Sequence, residues 1–68
     1  MKELQEAVIN KKPLKVYLKD EDNWYCLGIW NYIENKNIYQ GQFGYLDYEN
    51  IVLCSMGKLN HIKLELGE

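Results

Sequence analysis

The sequence predicts one mainly β domain with a short helix at its start. Apolar and polar residues alternate over Leu14–Lys19 and again over Ile62–Leu66, which is the period of a strand with one buried face. Between them, Trp24–Ile33 is rich in aromatic and β-branched residues, which favour strands. The chain has 68 residues, of which 47% are hydrophobic, enough for one core. We therefore expect a single domain over residues 1–68.

The first twelve residues (1–12) are predicted to form the helix. Leu4, Ala7 and Val8, with Met1 one turn earlier, share one apolar stripe. Pro13 disfavours a helical conformation at the residue before it and marks the end of the helix. A helix this short is unstable alone in water, so we expect its stripe to pack on one face or one open end of the strands.

Residues 14–66 are predicted to form five or six short antiparallel strands. The segment Trp24–Ile33 is apolar on both faces, and Gly28 at its middle is the expected site of a bend or bulge. By strict alternation, Trp24, Cys26, Trp30 and Tyr32 share one face of this strand. Polar residues and glycines predict turns at 20–23, 34–37, 41–44 and 56–58. A single 3₁₀ turn is expected over 47–50, followed by a short buried strand over 51–54.

So many strands in so short a chain favour a small closed or nearly closed barrel, because closure removes exposed strand edges. We expect an SH3-like or Sm-like barrel capped by the helix. A helix packed on an open antiparallel sheet is the alternative.

Charge and hydropathy weigh against several classes of partner. The formal net charge is −2, the pI is about 5.3, and all 8 basic residues are lysine. Typical nucleic-acid-binding proteins present a basic surface and use arginine, and anionic membranes also attract basic surfaces. No apolar run approaches the roughly 20 residues of a membrane span, and no secretory signal precedes the helix. We therefore expect a cytoplasmic protein with free thiols and no membrane partner.

No set of residues predicts catalysis, a cofactor or a metal. Cys26, Cys54 and His61 supply at most three of the four ligands that a structural zinc site needs. Both cysteines lie in apolar patterns, so we expect them to pack in the core. The acidic segment 20–22 is a predicted turn, and 41–44 lacks the lysine and the helix of a phosphate-binding loop.

Six tyrosines, two tryptophans and one phenylalanine exceed what so small a core needs. Tyrosine and tryptophan are enriched at interface hot spots, so the surplus predicts a protein-binding module that acts through aromatic and acidic side chains. The candidate residues are Tyr17, Tyr25, Tyr39, Tyr45 and Tyr48.

Two alternatives remain open for the function. Small barrels also bind single-stranded nucleic acid by stacking bases on aromatic rings within a basic groove, for which the candidates are Lys11, Lys12, Lys15 and Lys19, beside Tyr17. A homo-oligomeric structural role is the other alternative, because small domains with free strand edges gain stability from self-association.

Three parts of the chain resemble YolD-like proteins. The segment from Leu4–Ile9 to Pro13–Tyr17 resembles their initial helix and first strand, Gly28–Glu34 resembles their second strand, and Tyr45–Ile51 resembles their closing aromatic segment. The resemblance implies a small bacterial or phage accessory protein, an adaptor or inhibitor without catalysis, with an adaptor role in DNA-damage tolerance as one example.

Overall fold

The computed structural model describes residues 2–68 as two helices and five strands. In chain order these are α1 (Lys2–Ile9), β1 (Leu14–Asp20), β2 (Asn23–Ile33), β3 (Ile38–Gly41), β4 (Gly44–Asp47), α2 (Tyr48–Ser55) and β5 (Ile62–Leu66). The expected mainly β class with an N-terminal helix is confirmed. Met1, which the sequence places on the apolar stripe, lies outside the described residues.

The strands form one antiparallel sheet in the order β4-β3-β2-β1-β5. Consecutive strands are neighbours except that β5 returns to pair with β1, so β4 and β5 are the edges. Helix α2 connects these two edge strands and contacts both of them. The two edge strands do not pair with each other, and the chain passes between them through a helix.

Strand β2 bends at Gly28, as the sequence predicts. Lys15 pairs with Ile29 and Tyr17 pairs with Cys26, so that Val16 faces two residues of β2 instead of one. This is a β-bulge, and Gly28 adopts a φ of 84° within it, a conformation that glycine reaches without strain. The N-terminal part of β2 pairs with β1, whereas its last three residues pair with β3.

The predicted strand over 51–54 is wrong, because these residues belong to α2. Ile51, Cys54 and Ser55 are buried at the spacing of one helix face. A run of four apolar residues fits a buried strand and a buried helical turn equally well, so its periodicity cannot distinguish them. The expected 3₁₀ turn over 47–50 likewise overlaps the first turn of α2.

The core lies between the sheet and the two helices. Ala7 and Val8 of α1 are buried and Leu4 packs beside them, which confirms the predicted stripe. Helix α1 packs on α2 and β5. The buried cluster consists of Ala7, Val8, Leu14, Val16, Trp30, Tyr39, Ile51, Cys54 and Leu64. The Cα radius of gyration, 10.9 Å, is that of a compact chain of this length.

The connections are as short as the sequence predicts. The turn after β2 ends at Asn37, which has a φ of 52°, and the β1–β2 turn has Glu21 at a φ of 56°. Gly41 and Gly44 face each other across the β3–β4 hairpin. A Cβ atom at Gly41 would overlap the indole ring of Trp30, so the hairpin closes over that ring only with glycine at this position. No helix formed by residues 2–68 is long and apolar enough to cross a membrane.

Candidate functional site

Two of the five candidate tyrosines are structural. Tyr39 is completely buried and therefore cannot belong to an exposed aromatic surface, which corrects its assignment. Its hydroxyl donates a hydrogen bond to the carbonyl oxygen of Lys12, 2.8 Å away. Tyr48 is half-buried, and its hydroxyl donates to the carbonyl oxygen of Val8 over 2.9 Å. Both hydroxyls thus bind carbonyl groups at or just beyond the end of α1, and the Val8 carbonyl also accepts a hydrogen bond from the Lys11 amide.

The same two rings pack with Tyr32 in a cluster. The ring centroids of Tyr32 lie 5.7 Å from Tyr39 and 5.6 Å from Tyr48 in edge-to-face geometry. The Lys11 ammonium lies 5.4 Å from the Tyr32 centroid and 5.1 Å from that of Tyr48. This tyrosine cluster (Tyr32, Tyr39, Tyr48) therefore fixes the end of α1 and also holds Lys11.

Tyr25 and Tyr45 are exposed but belong to different places. Tyr25 pairs with Leu18 near the start of β2, on the face of the sheet that also carries Val16. Tyr45 lies on edge strand β4 opposite Gln40. The structure does not bring the five candidate tyrosines together in one surface.

Tyr17 lies on the face of β5, β1 and β2 that points away from the core. Leu14, Val16 and Leu64 face the helices, so the alternate residues of the same strands face solvent. We call this surface the lysine–aromatic face. It comprises Lys15, Tyr17 and Lys19 of β1, Trp24, Cys26 and Ile29 of β2, and Lys63 and Glu65 of β5.

Lysines lie close to both aromatic rings of this face. The Lys63 ammonium lies 5.0 Å from the ring centroid of Tyr17 and 5.1 Å from that of Trp24. The Lys19 ammonium lies 5.8 Å from the Trp24 centroid. Because Lys63 is on β5 and Trp24 is on β2, the contact between these two side chains spans β1. Each ammonium lies within the range of a cation–π interaction, which is worth about 0.5–1 kcal/mol at an exposed site.

Glu65 is the only acidic residue of the face. The Tyr17 hydroxyl donates a hydrogen bond of 3.1 Å to its carboxylate. Partial desolvation of the phenol, together with this hydrogen bond and the carboxylate charge, raises the pKa of Tyr17 above its usual range. With three lysines and one glutamate the face is formally positive, although the whole chain is negative.

The expected pairing of aromatic with acidic side chains is therefore not what this face presents, since lysines surround its rings. An acidic segment, Asp20 at the end of β1 with Glu21 and Asp22 of the β1–β2 turn, follows Lys19 and precedes Trp24 in the chain. It lies at one end of the face and bounds it.

The four lysines proposed for a nucleic-acid groove are divided between two places. Lys15 and Lys19 flank Tyr17 on β1, as expected from the alternation. Lys11 packs against the tyrosine cluster, and Lys12 follows it in the link between α1 and β1. Lys11 is therefore engaged by Tyr32 and Tyr48 rather than by Tyr17.

The two cysteines differ in their surroundings. Cys54 is buried in α2, and desolvation raises the pKa of its thiol to about 11, so the thiol is protonated at neutral pH. Cys26 is exposed on the lysine–aromatic face, which corrects the expectation that it packs in the core. Within residues 2–68, no three His, Cys, Asp or Glu side chains are grouped so that they could hold a metal ion.

Sequence reasoning missed Trp24, Ile29 and Lys63 as members of the face. Strict alternation placed Trp24 on the same side as Trp30, but the bulge at Gly28 shifts the phase of β2. Trp30 consequently enters the core, whereas Trp24 is 40% exposed and Ile29 is 43% exposed. Gly28 was the available signal in the sequence. A glycine inside a strand often marks a bulge, and a bulge reverses which side chains share a face on its two sides.

No protein-family model, no curated protein and no solved structure matches this chain. The resemblance to YolD-like proteins therefore stays a prediction.

Proposed function

We propose that this protein is a small non-catalytic protein-binding module, an accessory factor, adaptor or inhibitor of bacterial or phage origin, and that it binds through the lysine–aromatic face. The observation that carries the proposal is the exposure of Trp24 and Ile29 on a sheet face that no helix of the described chain covers. Large apolar side chains grouped on an exposed face are typical of interaction sites.

The side chains of the face suit protein recognition. Trp24 and Tyr17 offer large rigid rings that lose little conformational entropy on binding, a property common to hot-spot residues. The aliphatic stems of Lys15 and Lys63 add apolar contact area while their ammonium groups stay in water. A partner would therefore cover an apolar centre within a positively charged rim.

The exposed thiol provides a direct test. Cys26 lies within the face, whereas Cys54 is buried with a raised pKa, so a thiol-reactive photocrosslinker will attach selectively to Cys26. We expect irradiation in extracts of the source cell to link a defined partner to this position. The control is a Cys26→Ser, Lys36→Cys variant, which carries the same label in the exposed β2–β3 turn and should not capture that partner.

Substitution of exposed aromatic residues tests whether the partner contacts the face or only lies near it. Trp24→Ala should abolish co-purification of the captured partner, because it removes the largest exposed ring of the face. Tyr45→Ala, at an exposed aromatic on β4 outside the face, should leave recovery unchanged. Equal recovery with both variants would exclude this face as the binding surface.

Single-stranded nucleic acid is the second candidate, favoured by the proximity of Lys19 and Lys63 to the Trp24 ring. An electrophoretic mobility shift with a labelled oligonucleotide at low salt tests it. A shift that weakens steeply with salt and disappears in Trp24→Ala would favour this function over protein binding.

A further inference from the structure

We infer that the lysine–aromatic face recognises an acidic segment of a partner protein, one that sets carboxylate side chains beside an apolar residue. This inference rests on the proposed function, because it names the partner chemistry of the same surface. Three properties of the face support it: its charge, the placement of its ammonium groups and its boundary.

The charge of the lysine–aromatic face is complementary to that of an acidic partner. Three lysines and one glutamate share this face, and the carboxylate of that glutamate already accepts a hydrogen bond from Tyr17. The face is therefore formally positive, although the formal net charge of the chain is −2. Opposite charge in a partner would be attracted to this face, which favours one orientation of binding.

Two ammonium groups of the face lie beside the same aromatic ring. The ammonium groups of Lys19, on β1, and Lys63, on the neighbouring strand β5, both lie within 6 Å of the Trp24 ring centroid. Two like charges near one ring repel each other, and a carboxylate between them would relieve that repulsion. The exposed indole would at the same time contact an apolar side chain next to the carboxylate.

The length and boundary of the face favour an acidic protein segment over a nucleic acid. The face extends from Lys15 to Lys19, about 13 Å at the rise of a β-strand. Beyond Lys19 the chain turns through Asp20, Glu21 and Asp22, which bear three negative charges. A phosphate backbone continuing past Trp24 would meet that turn, whereas a short acidic segment can end before it. The chain also has no arginine for bidentate phosphate contacts.

The test uses defined probes rather than the unknown partner. Three synthetic peptides of equal length would carry Glu-Leu-Glu-Glu-Leu-Glu, the same sequence with Gln for Glu, and the same with Lys for Glu, and a twelve-nucleotide oligothymidine would serve as the nucleic-acid probe. Amide chemical shifts of the ¹⁵N-labelled protein report binding and its location. We expect the acidic peptide alone to shift the amides of Lys15, Tyr17, Lys19, Trp24 and Lys63, and to bind more weakly as salt is raised.

Charge reversal supplies the matched controls. Lys19→Glu with Lys63→Glu should weaken binding of the acidic peptide by about tenfold or more, since both ammonium groups next to Trp24 are reversed. Lys36→Glu with Lys58→Glu makes the same change in net charge at exposed turn positions and should have little effect. Equal loss in the two variants would mean a non-specific charge effect and would overturn the inference.

Comparison of the probes with one another gives further outcomes that would overturn the inference. Tighter binding of oligothymidine than of the acidic peptide would overturn the inference in favour of a nucleic-acid site. Equal binding of the acidic and Gln peptides would overturn the role of charge.

If the Cys26 crosslink and its dependence on Trp24 persist in the Lys19→Glu, Lys63→Glu variant, the protein-binding function stands and only the acidic specificity is lost. If the acidic peptide binds as expected but Trp24→Ala retains the cellular partner, the face recognises acidic segments but the proposed function fails there.

Discussion

The Tyr39 side chain shows how one residue can serve the core and a helix terminus together. Its ring lies inside the cluster with no exposed surface, while its hydroxyl reaches the Lys12 carbonyl oxygen just past the end of α1. The pattern at that end is a Schellman motif, in which the Lys12 amide donates to the Ala7 carbonyl and the Lys11 amide donates to that of Val8. Lys11 occupies the left-handed position, with a φ of 55°, that glycine usually takes.

Removing the Tyr39 hydroxyl should therefore weaken the attachment of α1. Tyr39→Phe keeps the ring but leaves the Lys12 carbonyl without that donor, so we expect the free energy of unfolding to fall by about 1 kcal/mol. Urea denaturation followed by tryptophan fluorescence measures this loss. Tyr45→Phe, which removes a hydroxyl from a ring that is 63% exposed, is the matched control and should be neutral. Unchanged stability in Tyr39→Phe would show that this hydrogen bond contributes nothing net.

Among the elements, the β1–β2 turn carries the clearest local strain. Asp20 pairs with Asn23, and the two residues between them form the turn. Glu21 adopts a φ of 56°, which costs a residue with a side chain about 1 kcal/mol, whereas Asp22 is not in that region. Hairpin turns of this length usually have glycine or asparagine at such positions.

Glu21→Gly should consequently stabilise the protein by about 0.5 kcal/mol, because relief of the left-handed strain exceeds the added entropy of the unfolded chain. Asp22→Gly removes an equal charge from the neighbouring position but relieves no strain, so it should destabilise by a similar amount. Thermal unfolding of the two variants side by side gives the sign of each effect. A gain in both would indicate that reduced acidic charge, and not backbone geometry, is responsible.

Across the whole molecule, burial of two weak acids makes stability depend on alkaline pH. Desolvation raises the pKa of Cys54 from 9.0 to about 11 and that of Tyr39 from 10.0 to about 12. The folded state thus holds both protons more tightly than the unfolded state. The resulting stability is complete below pH 9 and is lost as the pH rises through the folded-state pKa values.

We therefore expect the free energy of unfolding to be level below pH 9 and to fall between pH 9 and 12. Cys54→Ala should lower stability at neutral pH through lost packing, yet it should flatten the decline between pH 9 and 11. Denaturant titrations at a series of pH values measure both effects. Cys26→Ala, at the exposed cysteine, should leave the profile of the native protein unchanged, and a Cys54→Ala profile parallel to that of the native protein would contradict the assignment.

Local sequence patterns were sufficient to predict most of the helices, strands and turns. Alternation located β1 and β5, the stripe of Leu4, Ala7 and Val8 located α1, and Gly28 located the bend of β2. These features are encoded over a few residues, since side-chain period and glycine conformational freedom act locally. The sequence by itself therefore determined the class, the number of strands to within one, and the position of nearly every turn.

Tertiary structure alone decided three other properties. The segment 51–54 became helical because it packs against α1 and the edge strands, a choice that four apolar residues cannot encode. Tyr39 became part of the core through its place in the sheet, whereas the alternation of β1 had already placed Tyr17 on the polar face. The lysine–aromatic face exists because a bulge in β2 sets Trp24 opposite Lys19 while β5 brings Lys63 beside Tyr17. Tyr17 and Glu65, 48 positions apart in the chain, meet there only after the sheet has formed, because the pairing of distant strands is a property of the folded chain and not of any one segment.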